Sequence, residues 1–296
     1  MTLVDVHHHI LPPAFVAAER EGILAFAADE RVLEWSPAAA LEALDRFGVA
    51  TAYTSLGVPG TRDPAVARAC NEYATELAAD HPGRFATFAS LPLPDLDAAL
   101  EELRYALDEL GAEGVGLLSN YDGRHLGDPA FTPLLAELDR RGAVVHVHPM
   151  VPPACRGASG EGRDPFLEFP FDTARCAASL LAEGALERFA RITFILSHGG
   201  GPTAMLAQRI AGLTERAGRP ADPSLLARLH VDVVTSTAPA TFGLVSDFFG
   251  TGHVLFGSDH PYVPFEATAG GLERLELDTA TREAISAGNA RTLFGD

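Results

Sequence analysis

Eight short apolar runs recur along this chain, at residues 3–9, 50–56, 85–91, 114–119, 143–148, 192–198, 229–235 and 254–259. Each has the length of a β-strand, and longer amphipathic stretches separate them. RDPAVARACNEYATELAAD offers Asp63 as an N-cap and Pro64 at the first helical position. LPDLDAALEELRYALDEL carries apolar residues at three- and four-residue spacing and ends near Gly111. DPAFTPLLAELDRRG ends at Gly142, and DTARCAASLLAEGALERF precedes the sixth run. GGPTAMLAQRIAGLTERAG, APATFGLVSDFFG and ATREAISAGNARTLF follow the last three. This alternation leaves two architectures: a closed (β/α)8 barrel of the TIM type, or an open doubly wound sheet. The barrel is the expectation, as one domain over residues 1–296. Two long inserts, 11–46 after the first strand and 149–171 after the fifth, are expected over the C-terminal mouth.

Composition narrows the partners. The formal net charge of −18 argues against nucleic acid and against anionic membrane surfaces. No apolar run reaches the length of a membrane span, and no basic stretch followed by an apolar one opens the chain, so a cytoplasmic protein is expected. Every basic residue is an arginine; there is no lysine. Cys70, Cys155 and Cys176 form no CxxC pair and are expected to be reduced.

The polar residues in the apolar runs carry the chemistry. DVHHHILPP places three histidines at the end of an alternating stretch, unlike a tag in a flexible linker. Residues two apart in a strand face one side, so His7 and His9 point together and His8 points into the strand–helix layer. Two imidazoles on one face make a two-toothed metal grip. Asp5 is expected to face inward below them, where it would orient a ligand. VVHVHPM places His148 at a strand tip and His146 one layer deeper; FILSHGGG and VLFGSDHPY end their runs at His198 and Asp259. All fall where a barrel enzyme keeps its chemistry. Gly199–Gly201 lacks the lysine a P-loop needs and reads as a tight strand-to-helix turn.

These residues resemble the amidohydrolase superfamily. DVHHHILPP, ELDRRGAVVHVHP, FILSHGGG, GSDHPY and GNARTLF resemble its decarboxylase branch, which includes aminocarboxymuconate-semialdehyde, γ-resorcylate and 6-methylsalicylate decarboxylases. NYDGRHLGDPAF and FPFDTARCA look most like the last group. The resemblance implies a divalent metal, zinc by default with manganese or magnesium as alternatives, and no organic cofactor. With no lysine to carbamylate, it implies one ion, held by His7, His9, His148 and Asp259. It gives Asp259 the role of proton donor and His198 that of its hydrogen-bond partner. It implies non-oxidative decarboxylation of a small, ortho-hydroxylated aromatic carboxylic acid; hydrolysis by metal-activated water is the alternative. Homodimers or homotetramers are common among such enzymes. Pocket candidates at the mouth are Trp35, Asn120, Tyr121, Phe171, His260 and Tyr262, with Arg175 as a carboxylate clamp.

Overall fold

The computed structural model describes residues 2–295 apart from 28, 161, 163, 217, 220 and 221. Its strands are β1 Leu3–Ile10, β2 Val49–Leu56, β3 Phe85–Ser90, β4 Gly114–Leu118, β5 Val144–His148, β6 Thr193–Leu196, β7 His230–Asp232 and β8 Val254–Leu255. They lie in chain order in one eight-stranded sheet, each parallel to the next. Main-chain hydrogen bonds bring the segment after β8 back to β1: Val6 N to Phe256 O at 3.0 Å, Asp259 N to His7 O at 2.7 Å, and His9 N to His260 O at 2.7 Å. The sheet is therefore the expected (β/α)8 barrel. Among the described residues no helix is long and apolar enough to cross a membrane.

Local chemistry starts and stops the helices as the sequence suggests. Asp63 accepts from Ala65 N at 2.8 Å and begins the helix Pro64–Asp80. Gly142 ends Thr132–Arg141 with φ 63°, a left-handed conformation that suits a residue without Cβ. Other boundaries differ. The helix expected from residue 172 runs over Asp164–Ala182 and takes in the end of the 149–171 insert. The 11–46 insert folds as helices Pro13–Phe26 and Pro37–Phe47 around a short 3₁₀ turn, Glu30–Glu34. The helix Phe265–Arg274 and the small ladder of Asn120–Tyr121 with Arg124–His125 were not anticipated.

The last three strands are shorter than their apolar runs. Thr193–Leu196, His230–Asp232 and Val254–Leu255 stop before His198, Thr235 and Asp259. Those three residues have φ of 58°, 53° and 61°, which takes them out of the extended ladder. His198 and Asp259 thus sit on turns beyond the strands, not at strand tips. Gly199, Gly200 and Gly201 all have positive φ (65°, 71° and 55°), so the glycine run is a tight turn.

The barrel interior is layered. Val4, Val6, Tyr53, Phe88, Val144, Ile195 and Leu255 pack together at the bottom, and the ring of Phe294 stacks on Tyr53 at 3.9 Å. Burying such side chains contributes about 1.5–3 kcal/mol each. His146 lies above them, stacked on Phe88 at 5.7 Å.

One irregularity decides the top layer. The β1–β2 register shifts between Asp5 and His8, a bulge that reverses the inward parity of β1. Val4 and Val6 point inward below it, and His7 and His9 point inward above it. Asp5 therefore faces the helical layer with His8, whose Nδ1 lies 3.1 Å from Asp5 Oδ2. The expectation that Asp5 sits inside the barrel below the histidine pair is corrected: Asp5 instead accepts from Ser258 N at 2.9 Å and Ser258 Oγ at 2.6 Å.

Candidate active site

Each inward histidine of the upper layer has its outer nitrogen occupied. His7 Nδ1 lies 2.8 Å from Asp232 Oδ2, and both side chains are fully buried. His148 Nδ1 donates to Pro149 O at 2.8 Å. A carbonyl only accepts, so Nδ1 of His148 carries the hydrogen and Nε2 keeps its lone pair. The Asp232 carboxylate selects the same tautomer of His7. His9 Nδ1 meets Ser55 Oγ at 3.2 Å. Gly257 makes the His7–Asp232 pairing possible: a Cβ there would stand 2.8 Å from His7 Cβ and 2.9 Å from Asp232 Cβ.

The inner nitrogens converge. His7 Nε2 and His9 Nε2 are 3.1 Å apart. Asp259 Oδ1 lies 3.3 Å from the first and 3.1 Å from the second, yet it is buried without a well-formed hydrogen bond. His148 completes the ring, its centroid 5.3 Å from that of His7 and 5.1 Å from that of His9. His7, His148, His198 and Asp259 each offer one ligand atom within 4.8 Å of the others. His198 Nε2 is 3.2 Å from Asp259 Oδ2. Imidazole nitrogens and a carboxylate oxygen that converge this closely suit a cation better than a hydrogen-bond network.

The electrostatics point the same way. Burial works against a charged His7, but the carboxylates of Asp259 and Asp232 outweigh it and lift the imidazole to about 10. Burial pushes His9 down, opposed by Asp259, and burial together with His9 and His7 pushes His148 well down. Burial also favours a neutral Asp259; the charge on His7, then the hydrogen bond from His198 and the close approach of His7 and His9, override it and hold the carboxyl well below the usual range. The cluster thus keeps one positive charge beside two buried carboxylates, the place a divalent cation would take.

A cavity of about 400 Å³ opens beside this cluster. His9, His148, His198 and Asp259 form one wall; Leu24, Phe26, Val58, Phe166 and Phe169 form apolar ones. Thr235 and Tyr262 also line it, and no arginine does among the described residues. Among the described residues, three of the four non-glycine residues with positive φ, His198, Thr235 and Asp259, line this cavity. Such backbone costs on the order of 1 kcal/mol each and gathers at functional sites. A second cavity, of about 350 Å³, lies on the far side of His148 and is lined by Ser55, Ser90, Asn120 and Tyr121 among others.

The sequence-predicted pocket residues separate into groups. Tyr262 lines the cavity, its ring 5.4 Å from that of His9. Asn120 and Tyr121 face the second cavity, where Asn120 Nδ2 donates to Met150 O at 2.6 Å and Tyr121 Oη accepts from Leu118 N at 3.0 Å. Trp35 is away from the site, against Tyr73 with ring centroids 6.5 Å apart. Phe171 is 46% exposed and does not line the cavity. Arg175 does not line the cavity; it lies 3.6 Å from Glu168 and 3.7 Å from Asp172. His260 packs behind the site, with its ring 5.0 Å from His8 and 5.2 Å from Phe265. Asp232 and Thr235 were missed. The acid in the apolar run LHVDVV was a readable signal for Asp232; Thr235 had none.

Comparison with known proteins follows this geometry. The family described as amidohydrolase matches residues 4–295. A 6-methylsalicylic acid decarboxylase of Aspergillus aculeatus is 36% identical over 319 residues, covering 98% of this chain and 95% of that protein. A 6-methylsalicylic acid decarboxylase of Penicillium expansum is 34% identical over 314 residues, covering 99% and 96%. The crystal structure of a dihydroxybenzoic acid decarboxylase from Polaromonas sp., with bound manganese and the inhibitor 2-nitroresorcinol, shares the fold: TM-score 0.87, 21% identity, covering 99% of this chain and 97% of that one.

Proposed function

This chain belongs to the amidohydrolase family, and from that premise we propose that it is a metal-dependent, non-oxidative decarboxylase of a small, salicylate-type aromatic acid. The observation that carries the reading is the convergence of His7, His9, His148 and Asp259 beside a largely apolar cavity, with His9, His148 and Asp259 in its wall. The names of the two relatives support the substrate class. His7, His9, His148 and Asp259 would hold one divalent ion, and an imidazole-rich set with one carboxylate suits zinc or manganese. Residues 11–46 and 149–171 are read as the lid, since Leu24 and Phe26 come from the first and Phe166 and Phe169 from the second.

A divalent cation held by these residues would supply positive charge to the substrate's carboxylate in a strongly acidic protein. The remaining work falls to the side chains. Losing CO2 from a ring carbon strands an electron pair there unless that carbon first takes a proton. Asp259, ionised at rest, would relay it to the carbon from His198, which lies 3.2 Å from Asp259 Oδ2. Breaking the bond to CO2 then returns its electron pair to the aromatic ring. The proton ends on the former carboxyl carbon and CO2 departs, so the acid anion and one proton become arene and CO2. Leu24, Phe26, Val58 and Phe169 keep the ring flat against apolar walls and exclude water. The metal centre would supply the counter-charge to the carboxylate.

The test is turnover of 6-methylsalicylate in D2O by protein loaded with zinc or manganese. CO2 release with deuterium at the former carboxyl carbon is expected. Failure of every salicylate-type acid to lose CO2 with either metal overturns the reading. Solvent oxygen-18 in the product would assign hydrolysis to the same centre.

A further inference from the structure

We propose that Asp172 is a positioning residue for His148, acting through the Pro149–Met150 segment; the proposal rests on the metal centre described above. Asp172 lies on the helix Asp164–Ala182 and is fully buried. Its carboxylate accepts from Ser119 Oγ, from Asn120 Nδ2 at 2.8 Å and from His125 Nε2 at 2.9 Å. A buried carboxylate with this many partners costs several kcal/mol of desolvation before its hydrogen bonds return any of it. An apolar side chain could pin this helix at less cost, as Phe169, Cys176 and Leu180 already do. The acid therefore calls for a role beyond packing.

The partners supply that role. Ser119 Oγ, which donates to Asp172, accepts from Met150 N at 2.9 Å. Asn120 Nδ2, which also donates to Asp172, donates to Met150 O at 2.6 Å. Ser119 N donates to His148 O at 2.8 Å. Both polar groups of Met150 and the carbonyl of His148 are thus held from one side, with Pro149 between them. The proline ring removes one of the remaining rotations. The Pro149 carbonyl is left pointing at His148 Nδ1, 2.8 Å away, and that bond sets the tautomer and ring plane of His148. One turn before Asp172, Phe169 lines the substrate cavity with its ring 5.5 Å from that of His148. Asp172 therefore ties a cavity wall and a ligand to the same anchor. The segments NYDGRHLGDPAF and FPFDTARCA, distant in the chain, meet at this anchor.

The experiment measures zinc affinity by competition titration and the visible spectrum of the cobalt(II)-loaded protein. Asp172→Asn removes the charge that organises Ser119 and Asn120. Ser119→Ala cuts the link to Met150 and leaves Asp172 in place. Glu168→Gln disturbs the same helix elsewhere, where Glu168 Oε1 accepts from Ser159 Oγ at 3.1 Å. Asp172→Asn and Ser119→Ala are expected to weaken zinc binding about 10- to 100-fold and to alter the cobalt spectrum. Glu168→Gln should stay within about twofold of the parent, since the contacts of Glu168, with Ser159 and Arg175, do not reach Ser119, Asn120 or Met150. Wild-type affinity and spectrum in Ser119→Ala overturn the proposal even if Asp172→Asn does not fold. Equal weakening in Glu168→Gln overturns it too, by reducing Asp172 to a helix staple. No zinc or cobalt binding by the unmodified protein would instead remove the metal centre itself, and this role with it.

Discussion

In β1 and β5 the site residues belong to the sheet ladder, whereas after β6, β7 and β8 they stand beyond it. His9 is paired opposite Ser55 and His148 opposite Leu118. β1 is 8 residues long, while β6, β7 and β8 have 4, 3 and 2. His198, Thr235 and Asp259 sit in turns with positive φ instead. Buried acids replace the missing ladder there. Asp232 Oδ1 accepts from His198 N at 2.8 Å, and Asp5 holds Ser258, the residue before Asp259, through its N–H and hydroxyl. The strand side fixes His9 and His148 by backbone pairing. The turn side holds His198 and Asp259, the groups proposed to exchange protons, by strained backbone tied to the carboxylates of Asp232 and Asp5.

The largest effect should come from the turn side. Asp259→Asn is expected to lower CO2 release about 1,000-fold at saturating metal, with unchanged circular dichroism. Turnover near that of the parent would remove Asp259 as proton donor. Next, Asp232→Asn and Ser55→Ala compare the two kinds of support. Asp232 orients His7 and the His198 backbone, so its loss should weaken zinc binding about 10- to 100-fold. Ser55 supports His9, which the β1–β2 ladder already holds, and its loss should cost only about 3-fold by the net worth of one neutral hydrogen bond. Equal losses in the two titrations would erase the contrast between ladder and acid.

The smallest effect concerns stability. His230 begins the short β7; burial and then its neighbour His253, 4.6 Å away between rings, lower the imidazole from 6.5 to about 4. The folded state therefore resists a proton that the unfolded chain accepts. This stability is fully present above pH 6.5 and is lost as pH falls from 6.5 to about 4. With allowance for solvent screening, the loss should be about 1–2 kcal/mol. Urea unfolding of metal-free protein at pH 7 and pH 4.5 should show a smaller acid loss in His230→Asn. The same slope in both proteins would place the acid sensitivity elsewhere.

The alternation of apolar and amphipathic runs was enough to read the barrel, because strand and helix periods are local properties of the chain. The inward pairing of His7 with His9, and of His146 with His148, was legible for the same reason. Asp5 was misplaced because a bulge is set by pairing with β2, not by the residues of β1 alone. His198 and Asp259 were recognised as residues but assigned to strands, since nothing local announced a positive φ. Arg175 looked like a free cation because its partners Glu168 and Asp172 are visible only once the helix forms.

The sequence by itself determined the architecture, the histidine-and-aspartate set, and the absence of a lysine to bridge two metals. Tertiary structure alone decided how that set is held. His7 meets Asp232 across 225 residues, and Asp5 meets Ser258 across 253. Contacts of that kind leave no periodicity to read, because barrel closure creates them and the chain between them is free to vary.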